Sequence, residues 1–190
     1  MKAIETEFNG YLFRSRLEAR WAVFLSKLSV EWSYESEGYD LKGTWYLPDF
    51  YVKDWNCWLE VKPTEASAED FAKPESLAEC SGKMVLVVCG DPWTDDDRNH
   101  YEVRLYEPGW TTADEKELRW GSSGWGFGQG RKCEEEIWLV NDDGQAFTLK
   151  AVPHDRDGKH PLSGNWASRI QAALLAARQA QFEHGVVPYK

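Results

Sequence analysis

Cysteine, positive charge and long apolar runs are all in short supply in this chain. Its four cysteines, Cys57, Cys80, Cys89 and Cys133, contain no C-x-x-C pair, so no dithiol redox motif or paired-thiolate metal knuckle is present. With no secretory signal at the N-terminus they read as reduced thiols, and a cytoplasm is the expected compartment. No apolar run approaches the ~20 residues of a membrane span, so no membrane partner is expected. Basic residues number 22 against 32 acidic ones, a formal net charge of -10 with a pI of about 4.9. That balance argues against a long basic surface coating nucleic acid. Any phosphate contact then falls to metal ions and a local arginine cluster. Tryptophan, by contrast, is abundant. Eleven in 190 residues exceed what one core of this size needs, so some are expected in a surface groove. The length itself suits one domain with a proper core.

The stretch from Tyr46 to Pro63, YLPDFYVKDWNCWLEVKP, organises the rest. It reads as two short strands around a Lys53-Asp54-Trp55-Asn56 turn, with the pivot between Asp54 and Trp55. That register sets Asp49 opposite Glu60. Side chains alternate along a strand, so Leu47, Asp49 and Tyr51 share a face with Trp58, Glu60 and Lys62. Phe50, Val52, Cys57, Leu59 and Val61 take the other, apolar face and are the predicted core. Two carboxylates and a lysine thus meet on the face away from that core. Opposed like charges destabilise a hairpin, and a hard divalent cation such as Mg2+ between them would relieve the repulsion. The plainer reading is a solvated polar face on which Lys62 pairs with Glu60.

Pro48-Asp49, a short gap and Glu60-Val61-Lys62 resemble the motif of the PD-(D/E)XK nuclease superfamily. Upstream, Phe13-Arg14-Ser15-Arg16-Leu17-Glu18-Ala19-Arg20-Trp21-Ala22 is similar to the acidic first helix of its phage and bacterial members. The resemblance covers roughly residues 4 to 90. It implies a restriction-endonuclease-like α/β fold, an αβββαβ core with a mixed central sheet flanked by helices. It also implies Mg2+ or Mn2+ held by Asp49, Glu60, the Val61 carbonyl and Glu18, with Lys62 orienting or activating water.

Around that motif the chain reads as follows. Asn9-Gly10 is a hairpin turn between Ala3–Glu7 and Tyr11–Phe13. A helix starts at Ser15, with Leu17, Trp21, Phe24 and Leu28 as its buried stripe. Ser15 and Glu18 also fit a capping box, so Glu18 has two readings, cap and metal support. Val30, Trp32 and Tyr34 alternate as a half-buried strand, and Tyr39 to Thr44 reads as a loop. Ser67 to Cys80 is helical, with Pro74 predicting a kink or two short helices. Lys83 to Cys89 has the continuous apolar run of a strand buried on both faces, parallel to its predecessor through a helical crossover. Tyr101 to Tyr106 alternates like an edge strand.

The domain reading is a core over 1–110 and an extension over 111–190 packed on it. In the extension, Trp120–Gly130 is glycine-rich and read as a plain mobile loop. Asn141–Gly144 is a second hairpin turn, and residues 154–160 form a polar loop. Cys133 has no partner, and a structural zinc needs four ligands, so none is expected. A final helix runs from a cap at Asn165 to about Glu183, with Ile170, Leu174 and Ala177 inward. Arg169 and Arg178 on it face either phosphate or solvent.

The expected function is a metal-dependent nuclease, an endonuclease hydrolysing DNA, working in a bacterial host cytoplasm. Arg14, Arg16 and Arg20 are the cationic candidates for the DNA backbone. Tyr51, Trp55 and Trp58 either stack on unpaired bases or pack beneath a loop. A homodimer is left open. The rival reading is a catalytically silent, acidic nuclease-fold module that binds a DNA-associated host protein.

Overall fold

A computed structural model describes residues 3–64, 67–94, 99–109, 126–129, 137–140, 146–150 and 168–182. Asn9 and Gly10 both take positive φ, 52° and 80°, as a two-residue hairpin turn demands. They join β1 (Thr6–Phe8) to β2 (Tyr11–Phe13), with Phe8 opposite Tyr11. Ser15 caps α1 (Arg16–Lys27), its Oγ accepting from the Glu18 N–H. Trp21, Phe24 and Leu28 are fully buried and Leu17 packs at the core margin, so the stripe lies where its spacing put it.

After β3 (Trp32–Tyr34) the expected loop is partly strand. Here β4 (Tyr39–Asp40) and β5 (Trp45–Tyr46) form a small antiparallel ribbon. Lys42 and Gly43 at φ 55° and 92° supply its turn. Leu41 and Thr44 exchange backbone bonds of 2.8 and 3.3 Å across it.

The organising hairpin is β6 (Phe50–Val52) and β7 (Cys57–Lys62). A 3₁₀ turn over Lys53–Trp55 and a left-handed Asn56 join them. Phe50 faces Leu59, Tyr51 faces Trp58 and Val52 faces Cys57, the register of a pivot between Asp54 and Trp55. Then α2 (Ala68–Ser81) begins with a Ser67/Asp70 capping box and runs through Pro74 as one uninterrupted helix. Proline removes only one backbone bond there. Leu77 and Ala78 beyond it are buried with Val85 and Val87, which holds the second half in line.

The last two strands of the main sheet are β8 (Met84–Thr94) and β9 (Asn99–Tyr106). β8 lies parallel to β7, Cys57 opposite Met84 through Lys62 opposite Cys89, and β9 pairs antiparallel at the edge. The sheet is mixed and five-stranded, in the order β3-β6-β7-β8-β9. α1 and a large apolar cluster cover one face, and α2 with the β4–β5 ribbon covers the other.

Part of the glycine-rich stretch is not loop. Gly126–Gln129 is β10, in a three-stranded antiparallel sheet with β11 (Ile137–Val140) and β12 (Ala146–Lys150). Phe127 explains it: the ring is fully buried beside Trp21, Phe24, Trp55 and Tyr101. α3 (Ser168–Gln179) stops short of Glu183. It buries Ile170, Ala173, Leu174 and Ala177 in the same cluster. Arg169 donates to the Leu28 carbonyl, and Arg178 lies 4.1 Å from the Trp93 ring centre, so both guanidinium groups are engaged within the fold. The rest of 120–130, Cys133, the 141–144 turn, the 154–160 loop and Asn165 lie outside the described residues. Among the described residues no helix is long and apolar enough to cross a membrane.

Candidate active site

The face carrying Asp49 and Glu60 is not a solvated one, contrary to the expectation from alternation. Trp58, Val85, Val87, Leu77 and Tyr106 form a second apolar cluster on it, with Tyr39, Tyr46, Tyr51 and Phe71 packed around them. Asp49 is left 6% exposed and Glu60 only 1%. The cause is β8. A strand buried on both faces imposes the same condition on its parallel neighbour β7.

Both carboxylates are held by local backbone. Asp49 Oδ2 accepts from the Val61 N–H at 2.8 Å, and Glu60 Oε1 accepts from the Asp49 N–H at 3.2 Å. Asp49 Oδ1 accepts from Arg14 Nη2 at 3.1 Å. Glu60 Oε2 accepts from Lys62 Nζ at 3.2 Å and from the Tyr46 hydroxyl. The hairpin brings Asp49, Glu60 and Lys62 together as read from the sequence, and α1 adds Glu18.

Glu18 serves as a cap and as a neighbour of Asp49 at once. Its Oε1 accepts from Ser15 Oγ at 2.7 Å. Its Oε2 accepts from the Arg14 N–H at 3.1 Å and from the Tyr34 hydroxyl at 2.6 Å. Its charge also reaches Asp49, whose carboxyl is pushed well above the usual carboxylate range, first by burial and then by Glu60 and Glu18. Lys62 and the Val61 N–H oppose that shift only partly. Burial works against the charge of Lys62, but Glu60 and Asp49 outweigh it and raise its pKa. Burial and then Glu60 raise the Tyr46 hydroxyl, so it stays protonated and donates.

The remaining candidates divide. Arg14 reaches the carboxylates, while Arg20 is bound to Asp91 at 2.5 Å. Arg16 sits half-buried at the start of α1. Trp55 and Trp58 are buried, Trp55 against Phe127 in the large cluster and Trp58 beneath Tyr39 and Tyr51. Neither offers a ring face to a base, because each fills its side of the sheet. Tyr51 is half-buried, its hydroxyl donating to Asn56 Oδ1 at 2.8 Å and its ring beneath Lys83.

Three members of this network were not read from the sequence. Tyr34 was placed inward by alternation, but nothing indicated that its hydroxyl meets Glu18. Tyr46 lies three residues before Asp49, on a ribbon the sequence reading did not resolve. Glu35 follows a strand and turns back through a left-handed φ of 47° to meet Arg14 Nη2 at 2.6 Å, and no residue pattern announces that turn.

The bonded group holds Glu18, Glu35, Asp49 and Glu60 against Arg14 and Lys62. With all ionised, two negative charges are in excess. Hard carboxylate oxygens with that deficit suit a divalent cation of the Mg2+ type, which binds through one or two carboxylates and keeps several waters. Among the described residues no three His, Cys, Asp or Glu side chains converge as a closed cage. Asp49 and Glu60, with the Val61 carbonyl and water, are the groups that could hold such an ion. Comparison of the chain with family models, curated proteins and solved structures finds no match, so the functional reading rests on this geometry and the sequence motif.

Proposed function

We propose that the protein is a divalent-metal-dependent nuclease of restriction-endonuclease-like fold that hydrolyses DNA phosphodiester bonds. The observation that carries this reading is the buried, hydrogen-bonded Asp49–Glu60 pair with Lys62 on the same network. A bound Mg2+ or Mn2+ would supply Lewis-acid polarisation of the phosphate and lower the pKa of water. Asp49 and Glu60 hold the ion's place, and their backbone and Tyr46 bonds fix the direction of their oxygens. Lys62, kept charged by Glu60 and Asp49, orients the attacking water and offsets charge that develops on the phosphate. Glu18 braces Arg14 and adds negative charge beside Asp49. A divalent ion would cancel the two excess negative charges, which lets a chain of net charge -10 receive a phosphate there.

The rival is the catalytically silent acidic module. It draws support from the internal donor that each Asp49 and Glu60 oxygen already has. Incubation with single-stranded, duplex and branched DNA at low salt, with Mg2+, with Mn2+ and with EDTA, separates the two. Cleavage that needs the metal and vanishes in Glu60→Gln is expected. No cleavage of any substrate, together with no metal binding by calorimetry, would leave the binding module as the account.

A further inference from the structure

Glu35 belongs to the site's charge network, yet neither the hairpin nor the motif resemblance supplies it. Its backbone sits in the left-handed region, φ 47°, which a non-glycine residue occupies at a cost. Its N–H donates to the Asp49 carbonyl at 2.8 Å, so Glu35 is fastened to the residue with which it shares Arg14. Arg14 Nη2 lies 2.6 Å from Glu35 Oε1 and 3.1 Å from Asp49 Oδ1. One nitrogen therefore spans two carboxylates, with a hydrogen for each. The exposures are graded: the Asp49 side chain is 9% exposed, that of Glu35 27% and that of Arg14 56%. The guanidinium enters from the solvent side and is hydrogen-bonded to Tyr34 as well.

Building on the metal-dependent reading above, we infer that Arg14 is the side-chain partner of Asp49 in the metal-free protein, and that Glu35 receives it when a divalent ion takes Asp49. A guanidinium and a divalent ion repel strongly at one carboxylate oxygen, so Arg14 must leave. Its shorter bond to Glu35 keeps it at the mouth of the site, where a guanidinium is placed to grip a phosphate oxygen. Arg14 thus exchanges an internal partner for a substrate one, and metal and DNA binding become coupled. Glu35 is a positioning residue that acts through Arg14.

The test is a double-mutant cycle read by calorimetric titration of Mn2+ and Mg2+ into wild type, Arg14→Gln, Glu35→Gln and the double variant, after circular dichroism has shown each to be folded. Arg14→Gln should bind metal about tenfold tighter, its competitor being gone. Glu35→Gln should bind about tenfold more weakly, because Arg14 then stays on Asp49. In the Arg14→Gln background the loss from Glu35→Gln should shrink to about twofold or less. Glu35→Asn, a residue at home in the left-handed region, is a second neutral variant expected to match Glu35→Gln. An equal loss in both backgrounds would mean that Glu35 is only a nearby negative charge, and that result overturns the inference, as does unchanged affinity in Arg14→Gln. Wild-type protein that binds neither ion overturns the metal reading itself, and this inference with it.

Discussion

Asp49→Asn is expected to stabilise the metal-free protein at neutral and alkaline pH, the reverse of what most buried substitutions do. Asparagine keeps an oxygen to accept from the Val61 N–H, now at 2.8 Å, and nearly the same volume. Arg14 keeps Glu35 at 2.6 Å. What disappears is a carboxyl whose pKa is held well above its ordinary 3.8, first by burial and then by Glu60 and Glu18. A raised acid pKa means that the folded protein holds the proton more tightly than the unfolded chain. The stability from this group is present at low pH and is lost as pH rises from 3.8 through the raised folded value. Each unit of elevation corresponds to about 1.4 kcal/mol once pH exceeds both values. At ~2–4 °C of Tm per kcal/mol for a chain of this length, calorimetry resolves that easily. In EDTA, the Tm of wild type should fall behind that of the variant as pH rises above 3.8, until the raised folded value is passed. Saturating Mg2+ or Mn2+ should narrow the gap, because only wild type gains the ~2.7 kcal/mol that ligand at a hundred times Kd provides. A Tm difference that stays constant across the pH range would refute the raised carboxyl. A metal response equal in both proteins would refute Asp49 as a ligand.

Lys62→Ala should bind Mn2+ by calorimetry and still lose ~10²-fold or more in DNA turnover, the usual scale for a group that positions protons or charge. Glu18→Gln should lower stability by about 1–3 kcal/mol in urea unfolding, since it strands one of the donors from Arg14, Ser15 and Tyr34. It should also weaken metal binding, and movement in only one of these readouts would separate the two roles of Glu18. Trp58→Ala should cost about 3–5 kcal/mol as a buried cavity, while a folded Trp58→Phe should bind DNA as wild type does in a fluorescence anisotropy titration.

Legibility followed the range of the physics involved. The Asn9-Gly10 turn, the α1 stripe, the β6–β7 register and the valine-rich β8 are local patterns of period or turn chemistry, and each stands where the residues put it. Asp49, Glu60 and Lys62 came from one hairpin and were equally local. The error lay in treating that hairpin as a two-strand object with one free face. The run from Lys83 to Cys89 already required cover on both sides, and carrying that requirement across to β7 would have buried Trp58 and Glu60. Tyr34, Glu35 and Tyr46 were illegible for a different reason. Their part depends on where separate segments cross, and on a left-handed backbone at Glu35 that its residue type does not favour. Phe127 was hidden by the glycines around it, although one aromatic among glycines is a fair sign of a strand that packs by a single ring.

The covering of Glu60 on both sides has a consequence for how the chain would change under selection. Buried charged networks are often no more stable than apolar side chains of the same volume, and replacing a whole network can raise stability. Glu60 lies on a face otherwise filled by Trp58, Val85, Val87 and Leu77, an environment into which leucine or methionine would fit once Lys62 and Tyr46 were also exchanged. If only durability were rewarded, these three positions would drift together toward an ordinary apolar core, once the Asp49 N–H that Glu60 now accepts had another acceptor. Their polarity is a burden on the scaffold, one that the proposed metal chemistry would account for.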